Sequence, residues 1–165
     1  NIRYGVHMQQ PQNGCMTEAQ FKSICEHFTR QSDTAQKAAK SILVNGEESS
    51  LVSKAFSQVL TRQAISRIKL HIKRSFDLVQ ACYPPGGSDQ LTEERLRFIC
   101  KICNHGARST DAYKKALIDG ESVSKCAAEA KMFQSFFEER MEIIKQIHNE
   151  FVTNFTKTPR GQSDE

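Results

Sequence analysis

From Ser50 to Tyr83 the chain runs without a single glycine or proline. Over that stretch Val52, Phe56, Val59, Ile65, Ile68, Ile72, Phe76, Val79 and Cys82 recur mostly at three- and four-residue spacing. This period gathers the apolar side chains on one face of an α-helix and is wrong for a strand, whose faces alternate every second residue. The spacing predicts one helix roughly 50 Å long, at 1.5 Å per residue. Pro84-Pro85-Gly86-Gly87 then stops it and reverses the chain. A helix of that length carries an apolar stripe that must be covered, and with only 8 glycines and 4 prolines arguing against a many-stranded fold the expected class is all-α, a helical bundle.

The rest of the sequence supplies those helices. Thr17-Glu18-Ala19-Gln20 has the form of a capping box, and Phe21, Ile24, Cys25 and Phe28 follow at i, i+3, i+4 and i+7. Ser32 or Asp33 opens a second short helix through Ala35, Ala38, Ala39 and Ile42, with Gly46 placed to end it. After the Pro-Gly turn the order repeats. Thr92 opens a helix carrying Leu96, Ile99, Cys100 and Cys103, closed by Gly106; Ser109 or Thr110 opens another, closed by Gly120. A second long helix runs from about Ser122 to Phe155. The expectation is two long and four short helices in one domain spanning 1–165, with internal repeats at 15–83 and 89–156 and a frayed polar tail at 157–165.

The halves align in residues as well as in order. Thr17-Glu18 and Ile24-Cys25 match Thr92-Glu93 and Ile99-Cys100 at an offset of 75; Gly46-Glu47 matches Gly120-Glu121 at 74. Ala35, Lys37 and Ala39 match Ala112, Lys114 and Ala116 at 77, and Val52-Ser53-Lys54 matches Val123-Ser124-Lys125 at 71.

Six cysteines, Cys15, Cys25, Cys82, Cys100, Cys103 and Cys126, are an even set in a modest chain. Such a set suits a disulfide-stabilised extracellular protein. The opening at Asn1, with no apolar leader, fits a mature secreted chain. Cys100-Lys101-Ile102-Cys103 is open to three chemistries: a structural crosslink, half of a zinc site, or a redox pair. Redox pairs of this spacing usually sit in a βαβ setting, and no second ligand pair offers itself for zinc, so crosslinking is favoured and no metal is expected. The sequon Asn154-Phe155-Thr156 marks Asn154 for glycosylation.

Charge separates the two halves. Residues 17–83 hold 10 basic and 6 acidic side chains, residues 89–156 hold 10 and 11, and no acid lies between Ser49 and Phe76. Arg62, Arg67, Lys69, Lys73 and Arg74 are therefore the candidate contacts for an acidic protein or glycan partner. Nucleic acid is not expected, because the basic run lacks interleaved aromatics. Phe133, Phe136 and Phe137 are candidates for lining an apolar-ligand cavity in a carrier. No GxSxG, P-loop, HExxH or GxGxxG motif is present, so neither an enzyme nor a cofactor is expected. No run approaches the roughly 18 apolar residues of a membrane span.

Cys15, Ile24-Cys25, Phe28, Val52-Ser53-Lys54-Ala55-Phe56 and Cys82-Tyr83, in that order, resemble the N-terminal half of stanniocalcins, secreted helical glycoprotein hormones. The resemblance covers about half the chain and implies a secreted helical signalling protein. The chain departs from that family in having no cysteine between Cys25 and Cys82. The expected function is a secreted, non-enzymatic binding or signalling module for an acidic protein or glycan. The alternative is a carrier of an apolar small molecule, and the third is an intracellular zinc or nucleic-acid adaptor.

Overall fold

The computed structural model describes residues 14–157. Within them every regular element is helical, and there are eight α-helices. They are α1 (Glu18–Phe28), α2 (Asp33–Leu43), α3 (Ser49–Ala55), α4 (Arg62–Cys82), α5 (Glu93–Ile102), α6 (Ala107–Leu117), α7 (Val123–Glu129) and α8 (Gln134–Phe151). A π-helical turn, Val152–Thr156, extends α8. Of the tail expected over 157–165, all but Lys157 lies outside the described residues. The chain divides into two compact units between Val79 and Gln80, inside α4.

Capping fixes several boundaries where the sequence placed them. The Thr17 hydroxyl accepts from the Gln20 amide at 3.1 Å while the Gln20 side chain accepts from the Thr17 amide at 2.9 Å, a complete capping box. The Ser32 and Thr92 hydroxyls cap α2 and α5 by accepting from the Ala35 and Arg95 amides, without the return bond. Gly46 and Gly120 follow α2 and α6 at φ 74, the left-handed conformation that a side chain disfavours. Pro84-Pro85-Gly86-Gly87 is a type II turn: Gly86 sits at φ 79 and the Gly87 amide donates to the Pro84 carbonyl at 3.0 Å.

Both long helices are broken, which corrects the expected count. The first breaks over 56–61, with no glycine or proline to force it. The cause is burial. Val52 and Ile65 belong to one core cluster with Ala38, against which Ile42, Phe56 and Leu60 pack. On a straight helix, 13 residues would hold Val52 about 20 Å from Ile65. Only a turn lets both reach Ala38, and the Thr61 hydroxyl, accepting from the Ala64 amide at 3.0 Å, restarts the helix. The second break, at 130–133, is a Schellman turn. The Met132 amide donates to the Ala127 carbonyl and the Lys131 amide to that of Ala128, both at 3.0 Å. Lys131 takes φ 59 there. That conformation costs an L-residue about 1 kcal/mol.

Further boundaries move. Asn104, at φ 63, ends α5, whereas Gly106 serves as the N-cap of α6, which starts ahead of Ser109. α2 and α6 begin 74 residues apart, as do α3 and α7. These bounds pair Lys37 with Asp111 and Val52 with Cys126, one turn away from the matches at offsets 77 and 71. No disulfide joins the six cysteines, and all are free thiols. Cys25, Cys100 and Cys126 are buried within their helices. Burial pushes the Cys25 and Cys100 thiols up to about 11, so at neutral pH both are protonated core side chains.

The two units are filled differently. In the second, Tyr83, Tyr113, Phe137, Phe151 and Phe155 are fully buried. Tyr113 stacks on Phe137 at 4.7 Å and Tyr83 meets Phe151 edge-on at 5.4 Å. In the first, among the described residues, the largest fully buried side chains are Ile24, Ile72, Val52 and Val79. Arg95, 6% exposed, lies over the Tyr83 ring at 4.3 Å. It donates to the carbonyls of Cys82, Ser88 and Gln90 at 2.9, 2.7 and 2.8 Å. His148 joins the same loop: its ring bonds the Asp89 carbonyl through Nε2 at 2.8 Å and the Tyr83 hydroxyl through Nδ1 at 2.9 Å. A carbonyl only accepts, so Nε2 carries the proton and Nδ1 accepts from tyrosine.

Candidate functional site

Three serines of α3, Ser49, Ser50 and Ser53, face the first two turns of α4 across the break. With Arg62, Ser66 and Lys69 they line a cavity of about 250 Å³. A neighbouring cavity of about 550 Å³ is lined by Ser50, Ser53, Lys54, Ser57, Thr61 and again Arg62. Arg62 thus stands where the two meet. The Lys69 ammonium donates to the Ser49 hydroxyl at 3.1 Å, holding α4 to the start of α3. The result is a cleft rich in hydroxyls and cations on a stretch of chain without acids. Glu48, at its edge, reaches only the Ser50 hydroxyl, at 3.5 Å.

The five basic residues singled out from sequence do not form one patch. At about 100° per residue, Arg62, Lys69 and Lys73 fall within about 20° of one line along α4, while Arg67 and Arg74 lie about 140° and 120° around from Arg62. Arg67 lines a separate cavity of about 280 Å³ with Gln31 and His71. Lys73 is engaged, pairing with Asp77 at 2.8 Å and lying over the Phe76 ring. Among the described residues Arg62, Arg67 and Arg74 form no ion pair, so their charge is available to solvent. The hydroxyl partners escaped the reading of the sequence. Their signal was there in Ser49, Ser50, Ser53 and Ser57, but the serines face α4 only because the long helix breaks.

Phe133, Phe136 and Phe137 do not converge on a cavity. Phe137 is core, stacked on Tyr113, whereas Phe133 is 86% exposed and Phe136 43% exposed beneath the Arg140 guanidinium. Asn154 is half-buried in the π-helical turn, and the Thr156 hydroxyl of its sequon is buried without a hydrogen-bond partner. Among the described residues no group of three potential metal ligands includes Cys100 or Cys103. No described helix is long and apolar enough to cross a membrane.

No family model matches this chain, and neither a curated protein nor a solved structure matches it.

Proposed function

We propose that this chain is a non-enzymatic binding module whose first unit takes an acidic glycan at the cleft beneath Arg62. The observation that carries the reading is Arg62 itself, without an ion pair among the described residues and lining both hydroxyl-rich cavities. A guanidinium fork matches the planar carboxylate or the sulfate of such a chain, and flanking hydroxyls donate to the remaining oxygens. Lys54 and Lys69, which form no ion pair among the described residues, add charge. The test is affinity for a sulfated oligosaccharide at rising salt. Binding should weaken as salt screens exposed charges over about 8 Å. Arg62→Glu should reduce affinity about tenfold and Arg67→Glu, on the other face, far less. Equal losses from the two variants would reduce the effect to net charge and defeat the cleft.

We infer that the two units are copies of one four-helix ancestor. Helix lengths run 11, 11, 7 and 21 residues from α1 to α4, and 10, 11, 7 and 18 from α5 to α8. Glu18–Lys40 at 2.8 Å has its counterpart in Glu93–Lys114 at 3.9 Å. The Glu47 amide donates to the Ser41 carbonyl as the Glu121 amide does to that of Lys115, both at 3.0 Å.

The module is placed outside the cell on the even cysteine set and the likeness of its first half to stanniocalcins, and any crosslink there would draw on thiols that are unpaired in this structure. Thiol titration of the protein purified under oxidising conditions checks this: fewer than six reactive thiols after denaturation would show that the cysteines pair outside the cell, and six would assign the chain to a reducing compartment.

A further inference from the structure

α1 and α2 are antiparallel: the Glu18–Lys40 pair ties the start of one to the end of the other. Between them lies a groove of about 450 Å³ with Phe21 and Cys25 among its lining residues. Its charged side chains come in unusual order. Lys22 and Lys37 line it, and so do Glu26 and Asp33 toward the connection between the helices and the paired Glu18 and Lys40 at the other end. Lys22 and Glu26 are four residues apart on α1, as Lys37 and Asp33 are on α2, so the cations form one level and the anions another about 6 Å along.

The second unit shows what a closed version looks like. Position for position from the helix starts, Lys22 corresponds to Arg97 and Lys37 to Asp111. Arg97 bridges to Asp111 at 3.2 Å and to Glu93 at 2.9 Å, sealing α5 to α6. In the first unit both members of that bridge are lysines, which repel, and among the described residues neither forms an ion pair. Among the described residues Asp33 forms none either, and the one ion pair of Glu26 is with the His27 ring, at 4.0 Å. The groove therefore keeps a cation level and an anion level, neither closed by an ion pair from one helix to the other among the described residues, beside the edges of Phe21 and Cys25.

We propose that this groove binds a small linear zwitterion, its anionic end between Lys22 and Lys37, its cationic end between Glu26 and Asp33, and its apolar body against Phe21 and Cys25. The ligand class is an ω-amino acid or a molecule with the same spacing of charges. A single charge satisfies one level and leaves the other repelling, so neither a simple anion nor a simple cation completes the site. The groove shares no residue with the cleft around Arg62, so the two readings stand or fall separately.

The experiment is calorimetric or NMR titration of the full chain with 5-aminopentanoate, with pentanoate and pentylamine as singly charged controls. The zwitterion should bind at least tenfold more tightly than either control. Lys22→Arg combined with Lys37→Asp installs the second unit's bridge and should abolish that binding. Glu26→Gln with Asp33→Asn should make 5-aminopentanoate and pentanoate equal, and this second pair decides the question if the first does not fold. Equal binding of zwitterion and anion by the parent chain overturns the proposal. So does the absence of saturable binding, or undiminished binding in a folded bridge variant.

Discussion

The two units share an order of helices and differ in what fills and seals them. Ala39 in α2 stands where α6 carries Tyr113, and the aromatic stacks on Phe137 while the alanine leaves small side chains at the same level. Lys22 and Lys37 stand where Arg97 and Asp111 form a bridge. The second unit is thus closed by large rings inside and ion pairs outside, Lys115–Glu129 at 3.1 Å among them. The first retains the groove between α1 and α2 and the cleft between α3 and α4. One helical plan is therefore compatible with a tightly filled unit and with one that keeps concave, charged surfaces, and a handful of positions decides which. Burial fixes the plan; side-chain size and charge pairing at those positions fix whether anything is left to bind.

The contrast can be broken most severely at Phe137. Phe137→Ala should destabilise the chain by about 3–5 kcal/mol in chemical denaturation, since the cavity forms among rings that cannot collapse. Val52→Ala in the first unit should cost less, about 2 kcal/mol, because fewer atoms are removed. Equal costs would show the aromatic core to be no more rigid than the aliphatic one. Next comes Arg95→Met, which leaves the carbonyls of Cys82, Ser88 and Gln90 without their donor. A loss of about 2–3 kcal/mol is expected, with earlier proteolysis over 84–90.

Acid should act through the same loop. Burial, the largest cause, and the Arg95 charge hold the His148 imidazolium pKa below its ordinary value, against the opposing Asp89 carbonyl and carboxylate. The unfolded chain therefore takes up the proton first. The stabilisation is complete above about pH 6.5 and is lost as pH falls below that value toward the folded-state pKa. Denaturation midpoints at pH 7.5 and 5 should differ by more in the parent than in His148→Gln; an unchanged difference would clear the histidine of any part in the acid response. The smallest effect is the transplanted bridge. Lys22→Arg with Lys37→Asp should stabilise the first unit by about 0.5 kcal/mol, the usual return on an exposed pair, and a larger gain would mean that the two lysines strain the groove.

How much of this was legible in the sequence depends on how local the cause is. Thr17 with Gln20, Thr92, Ser32, Gly46, Gly120 and the Pro84-to-Gly87 turn act within a few residues, and each does what its chemistry requires. Helical periodicity is equally local, so the all-helical class and the buried stripe of Ile65, Ile68, Ile72, Phe76 and Val79 followed from spacing alone. The basic surface was legible as composition. Its splitting into two faces was also implicit in the helical period once Arg62 and Arg67 are set five residues apart.

The tertiary structure decided the rest. Apart from the Thr61 cap, no local signal distinguishes Phe56 to Thr61 from the helix on either side; the chain turns there because Val52 and Ile65 both gain by packing on Ala38, distant in sequence from each. Lys131 adopts a left-handed conformation that its own side chain resists, again because the turn lets α8 place Phe137 against Tyr113. The cleft under Arg62 and the open groove beside Lys22 are products of those packing choices. A sequence sets each residue's preference over a few neighbours, about 1 kcal/mol at a time. Burial of apolar surface between remote segments is larger, and where the two disagree it prevails.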